Sequence, residues 1–350
     1  MQNAIYPGRP WADTAGHRIQ AHGGALFYED GTYIWYGENK EKTDGKSGIW
    51  TWGIRAYRST DLINWTDCGL LIPPVTDDPD SNLAPRKRVD RPHILKNPHT
   101  GQYVCWLKLS GKDACFTLLT ASALRGPYTV VRENYRPLNK EVGDFDLYQA
   151  EDGTAYLYFN GSHGSIYGTA LTRDYLDITG PVSEQYGRPG APREGVAVFR
   201  HGEKYYMLTS GMTGYLPNRS DAAVSDTPLG PFVPVGNPHV GDESQASFNS
   251  QISQVFPLPG KPGAYIALAD RWVPSYPVDA RLADVFARVI GSHHHPERFS
   301  ATPEEEAEFQ RRPLDLEVNT SLSDYVWLPL TVEEGRPCIR WRDSWTPAEL

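Results

Sequence analysis

Cysteine is scarce in this chain, and the few present are not paired by spacing. Cys68, Cys105, Cys115 and Cys338 show no CxxC pattern, so neither a zinc site nor a disulfide framework is indicated. Cys105 sits in the apolar run YVCWL and reads as a small buried thiol. No stretch approaches the roughly 20 apolar residues of a membrane-spanning helix, so no membrane partner is expected. Positive charge is also in deficit: 34 Lys and Arg stand against 43 Asp and Glu, a formal net charge of −9. That balance argues against nucleic acid as a partner. Residues 1–18 contain neither the basic nor the apolar segment of a signal peptide. The expectation is a cytoplasmic protein, or a secreted one from which a leader has been removed.

Turn-forming and aromatic residues are abundant. The 32 Gly and 29 Pro disfavour long helices and point to short strands joined by turns. With 39% hydrophobic and 12% aromatic residues, the chain can bury a core. A short pattern recurs five times: a turn containing Gly, then a strand-forming run rich in Tyr. It occurs at 29–38 (EDGTYIWYGE), 99–108 (HTGQYVCWLK), 151–160 (EDGTAYLYFN), 200–209 (RHGEKYYMLT) and, more loosely, 260–270 (GKPGAYIALAD). The glycines, Gly31, Gly101, Gly153, Gly202 and Gly263, lie 70, 52, 49 and 61 residues apart. Each copy reads as a β-hairpin in which Gly supplies a positive φ. The segments 59–65, 124–128, 172–176 and 228–232 read as turns into an outer strand.

Units of about 50 residues, each too small to hold a core alone, are what propeller blades require. The predicted fold is therefore all-β, a single five-bladed β-propeller over residues 1–350. Residues 279–312 (ARLADVFARV, PEEEAEFQRR) break the pattern and read as a short helical insertion near the C-terminal blade. The tail after it returns to strand-like alternation and is expected to close the ring beside the first blade.

Propeller ligand sites lie where the innermost strands converge, so candidate residues should come from successive blades. Asp90 in RVDRPHIL, Asp144 and Asp146 in VGDFDLY, and Glu194 in PREGVAVF each precede a hairpin among apolar neighbours. Singly, each reads first as a solvated or salt-bridged carboxylate. Together, carboxylates converging on an aromatic-lined pocket suit glycoside hydrolysis, in which one protonated acid serves the leaving oxygen.

At these residues the chain resembles glycoside hydrolase family 43, and within it the branch of exo-β-1,3-galactanases and related exo-enzymes. The likeness rests on an ordered series: AHGGALFYEDGTYIWYGENK, YRSTDLINW, RVDRPHIL, DLYQAEDGTAYLY, REGVAVF, TSGMTGYLPN, SFNSQISQVFPLP, ADRW and YVWLPL. It implies an inverting exo-acting hydrolase releasing a terminal galactose- or arabinose-type sugar. It also implies Glu194 as general acid and Asp144 as the residue that orients and tunes it. Most members carry the base as an aspartate on the first blade, where this chain has Gly23 and Gly24. The branch that shares this absence places a glutamine, here Gln251, near the attacking water, and an imidic-acid form is proposed there as base. The resemblance sets Glu38, Asp90, Arg91 and Thr213 against sugar hydroxyls. Asp90 stands where that branch commonly has Glu, GVA follows Glu194 where APA is usual, and Tyr215 replaces a frequent Trp.

Plainer readings stand beside these. An amide is a poor base, so Gln251 can equally hold a water or hydroxyl. Of Trp35, Trp106 and Trp272, only Trp272 is assigned to the substrate, because propeller aromatics more often pack between blades. His22, beside the empty base position, either binds substrate or bonds within the core. His293, His294 and His295 cannot easily face one ion and read as an exposed loop. The implied partner is an oligosaccharide or small glycoside. No metal site or required cofactor is indicated, although a structural cation in the central channel stays open. Rival substrates are α-L-arabinofuranosides, β-D-galactofuranosides and β-xylosides, and a rival class is a non-catalytic glycan-binding propeller.

Overall fold

The computed structural model describes residues 2–161, 164–186, 192–276, 278–294, 296–311 and 317–350. Among these residues five sheets follow one another, the first four antiparallel and the fifth antiparallel but for one short pair. The first is β1 (His22–Glu29), β2 (Thr32–Glu38), β3 (Ile54–Ser59) and β4 (Thr66–Ile72), and the second is β5 (Val89–Lys96), β6 (Tyr103–Leu109), β7 (Cys115–Ala121) and β8 (Thr129–Tyr135). The third is β9 (Phe145–Gln149), β10 (Ala155–Asn160), β11 (Ile166–Leu171) and β12 (Ile178–Gln185). The fourth is β13 (Arg193–His201), β14 (Lys204–Gly211), β15 (Asp221–Ser225) and β16 (Val233–Gly236). The fifth joins β17 (His239–Val240), β18 (Gln251–Pro257) and β19 (Tyr265–Arg271) to β20 (Asp324–Tyr325), β21 (Leu328–Glu333) and β22 (Arg336–Arg340).

The first long strands of the five sheets touch in a ring, β1 to β5, β5 to β9, β9 to β13, β13 to β18 and β18 back to β1. This is a five-bladed propeller. Each recurring glycine turns the hairpin between a blade's two inner strands, with φ between +58° and +83°, a range that costs glycine little. The four connectors foreseen at 59–65, 124–128, 172–176 and 228–232 each lead into the outermost strand of blades one to four. Burial follows the layering: β6 is buried throughout, whereas the outer β8 is mostly exposed or half-buried.

The tail does close the ring, but as the fifth blade's own strands. β21 pairs with β19, and β17 adds in parallel to β22. Ile5 bridges Trp345, so the two ends of the chain meet. Trp11, Trp35, Trp65, Trp327 and Trp345 fill the seam between blades one and five, with edge-on contacts such as Trp35 to Trp327 at 4.6 Å. The insertion lies within the fifth blade, between β19 and β20, as α1 (Ala280–His294) and α2 (Pro303–Gln310). Thr302 and Glu305 form a capping box that starts α2. Val285, Phe286 and Val289 of α1 pack against Leu216 of the fourth blade. Two residues of the histidine run are helical, not looped: His293 and His294 end α1, and His293 Nε2 pairs with Glu306 Oε1 at 3.0 Å. His295 and Arg312 lie outside the described residues. Among the described residues no helix is long and apolar enough to cross a membrane.

Within the channel, Asp146 is buried and accepts the Val198 N–H at 2.6 Å. Burial carries its carboxyl up to about 7, against the opposing pull of the Val198 N–H. His93 Nδ1 lies 3.3 Å from Asp146 Oδ1, and burial, with Arg91 beyond it, lowers this imidazole to about 3. Below about pH 7 a neutral acid therefore faces a neutral imidazole. A carboxyl whose folded pKa is raised favours the fold fully below its unfolded value and loses that contribution as pH rises through the folded value. Asp146→Asn mimics the neutral acid. It is expected to flatten the fall in urea midpoint that the wild type shows from about pH 5 to about pH 8; an equal slope in both proteins would exonerate Asp146.

Candidate active site

Four inner strands carry a β-bulge: between His22 and Ala25, Asp90 and His93, Glu194 and Ala197, and Ile252 and Gln254. Bulges re-aim side chains, and in three of these one residue takes a positive φ: Gly23 at +54°, Arg91 at +46° and Gly195 at +60°. At Gly195 the glycine also makes room, because a Cβ would stand 2.5 Å from Ser210 Oγ and 3.1 Å from Gln251 Nε2.

The bulges border a pocket of about 210 Å³. Seven of the ten candidate residues line it, Glu38, Asp90, Arg91, Asp144, Glu194, Gln251 and Trp272, and Asp146 lies outside it. Trp50, Arg88, Lys108, Ser110, Gly214 and Tyr215 complete the wall. Thr213 and His22 do not line it. Thr213 is fully buried, and its hydroxyl donates to Leu216 O at 2.7 Å and accepts from Asn218 Nδ2 at 2.6 Å. It shapes the turn that presents Gly214 and Tyr215. His22 is also fully buried, with Nδ1 3.1 Å from Asp270 Oδ1 and its ring stacked on Tyr325 at 4.8 Å. Burial lowers its pKa although the Asp270 hydrogen bond opposes this. His22 is thus a staple between blades one and five, behind the pocket wall.

Glu194 is gripped from several directions. Gln251 Nε2 donates to Glu194 Oε1 at 3.3 Å and to Ser210 Oγ at 2.9 Å, and Ser210 donates to Glu194 O at 3.3 Å. Trp272 Nε1 donates to Gln251 Oε1 at 3.1 Å. An indole N–H can only donate, so it fixes the amide with oxygen toward Trp272 and nitrogen toward Glu194. Tyr215 packs on Trp272 at 5.7 Å.

Beneath them lies a charge lattice. Asp144 Oδ1 meets Lys108 Nζ at 2.7 Å and Arg91 Nε at 3.0 Å, while Asp144 Oδ2 accepts the Gly195 N–H at 3.2 Å. Burial would raise the Asp144 pKa, but Arg91 and Lys108 override it and hold the carboxyl at about 2. Asp90 accepts from Trp50 Nε1 at 2.5 Å and from the Ser110 hydroxyl, and its Oδ2 lies 3.4 Å from Lys108 Nζ. Burial pushes Asp90 up as well, and Lys108 and Lys40 bring it below its ordinary value. Glu38 goes the other way. Burial takes it up to about 7 although Lys40 opposes this, and Asp90 adds to the rise. Among the described residues no group of three or more His, Cys, Asp or Glu side chains is arranged to hold a metal.

Lys108, Trp50 and Ser110 were not foreseen. Lys108 is the last residue but one of a buried apolar strand, and Trp50 lies in the irregular link between β2 and β3; in sequence neither carries a signal beyond its residue type.

Solved structures resemble the chain over its whole length. A GH43 β-1,3-galactosidase is 28% identical with a TM-score of 0.80, covering 100% of this chain and 64% of its own. This chain therefore spans a little under two thirds of that relative. A second GH43 β-1,3-galactosidase, solved with galactodeoxynojirimycin, is 26% identical with a TM-score of 0.77, covering 98% of this chain and 100% of its own. An exo-β-1,3-galactanase from Phanerochaete chrysosporium, 24% identical with a TM-score of 0.77, covers 98% of this chain and 68% of its own and shares the fold. A search of curated proteins returned no match. The family model for glycosyl hydrolases family 43 matches residues 24–254, a span that runs from the first bulge to the last and takes in both Asp144 and Glu194, and the chain belongs to that family.

Proposed function

We propose that this protein is an inverting, exo-acting glycoside hydrolase that releases a terminal galactose from β-1,3-linked galactosides. The observation that carries the substrate is the full-length likeness to two β-1,3-galactosidases above 25% identity. The pocket supports the exo mode: about 210 Å³ is below the roughly 300–1,000 Å³ of sites that enclose larger ligands, and has room for one sugar ring.

Glu194 is the general acid. Because Gln251 donates to Oε1, the proton for the leaving oxygen belongs on Oε2. Asp144 acts on it through the Gly195 N–H, fixing the bulge that aims the acid. The contacts of Gln251 support a holding role: its nitrogen is directed to Glu194 and Ser210, and its oxygen to Trp272. No cofactor is required for this chemistry.

The test is hydrolysis of β-galactopyranosyl, β-galactofuranosyl, α-arabinofuranosyl and β-xylosyl aryl glycosides and of β-1,3-galactobiose, with NMR detection of the first anomer released. Cleavage of galactobiose with α-galactose appearing first is expected. Cleavage of only the arabinofuranoside or xyloside would overturn the galactose assignment, and galactose binding without any turnover would make the propeller a binding module.

A further inference from the structure

Inverting hydrolysis needs a second group, across the sugar from the acid, to take a proton from the attacking water. The two stand roughly 6.5–9.5 Å apart so that sugar and water fit between them. Gln251 touches Glu194 at 3.3 Å, which puts it on the acid's own side of the pocket.

Blade one lines the same pocket and stands across the ring from blade four, its inner strand touching β5 and β18; its β1 bulge carries no side chain at Gly23 or Gly24. That space is not vacant. A Cβ on Gly23 would come within 2.4 Å of Glu38 Oε1 and 3.5 Å of the Trp272 ring. The carboxylate of Glu38, delivered from β2 opposite His22, fills the volume a β1 side chain would need. Gly24 is closed by backbone, its Cβ position lying 2.0 Å from Tyr36 O.

Glu38 lines the same pocket as Glu194, and a chain of contacts separates the two. Glu38 Oε1 accepts the Arg91 N–H at 3.0 Å, the Arg91 guanidinium holds Asp144 at 3.0 Å, and Asp144 holds the Gly195 N–H beside Glu194 at 3.2 Å. Lys40 Nζ pairs with Glu38 Oε2 at 2.7 Å.

We propose that Glu38 is the general base of this site, a glutamate on the second strand of blade one doing the work of an aspartate on the first. The proposal rests on the inverting galactosidase reading. In the step, Glu38 takes a proton from water as the water oxygen bonds to C1. The bond from C1 to the glycosidic oxygen breaks, its electron pair leaves on that oxygen, and Glu194 supplies the proton. Exchange with solvent then returns the proton from Glu38 and restores it to Glu194. The groups facing Glu38 are Lys40 from the link after β2, and Asp90 and the Arg91 N–H from β5. With burial they bring its pKa to about 7, so the base loses its charge, and the enzyme its activity, as pH falls through that value. Lys40 opposes the rise, and Lys40→Met is expected to move this acidic limb upward.

The experiment compares wild type, Glu38→Ala, Glu38→Gln, Gln251→Ala and Glu194→Ala on β-1,3-galactobiose and 2,4-dinitrophenyl β-galactoside, with and without sodium azide. Both Glu38 variants are expected to lose about 10²–10⁴-fold in kcat/KM on both substrates. Azide should restore turnover to Glu38→Ala alone, yielding α-galactosyl azide. Glu194→Ala should be slow only on galactobiose. If Glu38→Ala fails to fold, the equal loss of Glu38→Gln on both leaving groups carries the test. Azide rescue of Gln251→Ala instead, or a Glu38→Gln effect confined to KM, would overturn the proposal while leaving the galactosidase reading intact. A wild type that cleaves neither galactoside would overturn both.

Discussion

Glu194→Gln is expected to lower kcat/KM on β-1,3-galactobiose by about 10³–10⁴-fold, near the upper end of what a general acid contributes, or about 4–5.5 kcal/mol of barrier. The substitution is close to isosteric, and the replacement amide can turn its oxygen toward Gln251 Nε2, preserving the contact now made at 3.3 Å. The Asp144 contact to the Gly195 N–H involves only backbone on this side and should persist. What is lost is the proton at Oε2. The deficit should therefore shrink to within about tenfold on a 2,4-dinitrophenyl galactoside, whose leaving group departs without protonation. Galactose affinity should stay near the wild-type value. An equal loss on both substrates would show that Glu194 does something other than protonate the leaving oxygen.

This leaving-group dependence separates Glu194 from Glu38, whose loss should be felt whatever departs. The two carboxyls differ in environment. Glu38 sits in a pair with Lys40, deep enough for burial to dominate. Glu194 is held through an amide, a hydroxyl and the backbone. Tuning of this kind lets one site run acid and base chemistry together.

The blades are legible in the sequence because their signals are local. A turn containing Gly and the alternating run after it need nothing outside ten residues, and all five recurring glycines have the expected positive φ. The acids on the inner strands are legible for the same reason, since each sits beside a hairpin that declares itself. The register between strands is not. The bulge that puts Arg91 at φ +46° depends on how β5 pairs with β6, and no residue type announces it, because Arg is an ordinary strand residue elsewhere. The contact of Gln251 with Glu194 joins residues 57 apart on neighbouring blades. The filling of the Gly23 space by Glu38 is a packing fact that two glycines in a row only hint at. Thr213 and His22 show the limit of resemblance: it marks positions, but the direction of the Thr213 hydroxyl is set by Asn218 and Leu216. The site of His22 is set by Asp270 across the ring seam.

Arg91 ties these parts together, and Arg91→Met should be the most damaging single change to the site. The guanidinium is buried, holding Asp144 at 3.0 Å and Ile252 O at 3.4 Å. Without it, Lys40 still pairs with Glu38, and Lys108 with Asp90 and Asp144. Removing one partner from a buried ion network costs about 3–5 kcal/mol, because the remaining charge stays desolvated. The pH dependence identifies the source. A carboxyl held below its ordinary value contributes stability above its unfolded pKa and loses it as pH falls through the folded value. For Asp144 that window runs from the ordinary 3.8 down to about 2. The gap in urea midpoint between wild type and Arg91→Met should therefore be fully open at about pH 7 and narrow toward about pH 2–3. Arg91→Lys should recover part of it, since an ammonium restores the charge but cannot reach both Asp144 and Ile252 O as the planar fork does. Hydrolysis should fail in both variants, because the shift of Asp144 loosens its hold on the Gly195 N–H and so misaims Glu194. A gap that stays constant with pH would mean that Arg91 stabilises the site by packing, and that the Asp144 charge is held by Lys108 alone.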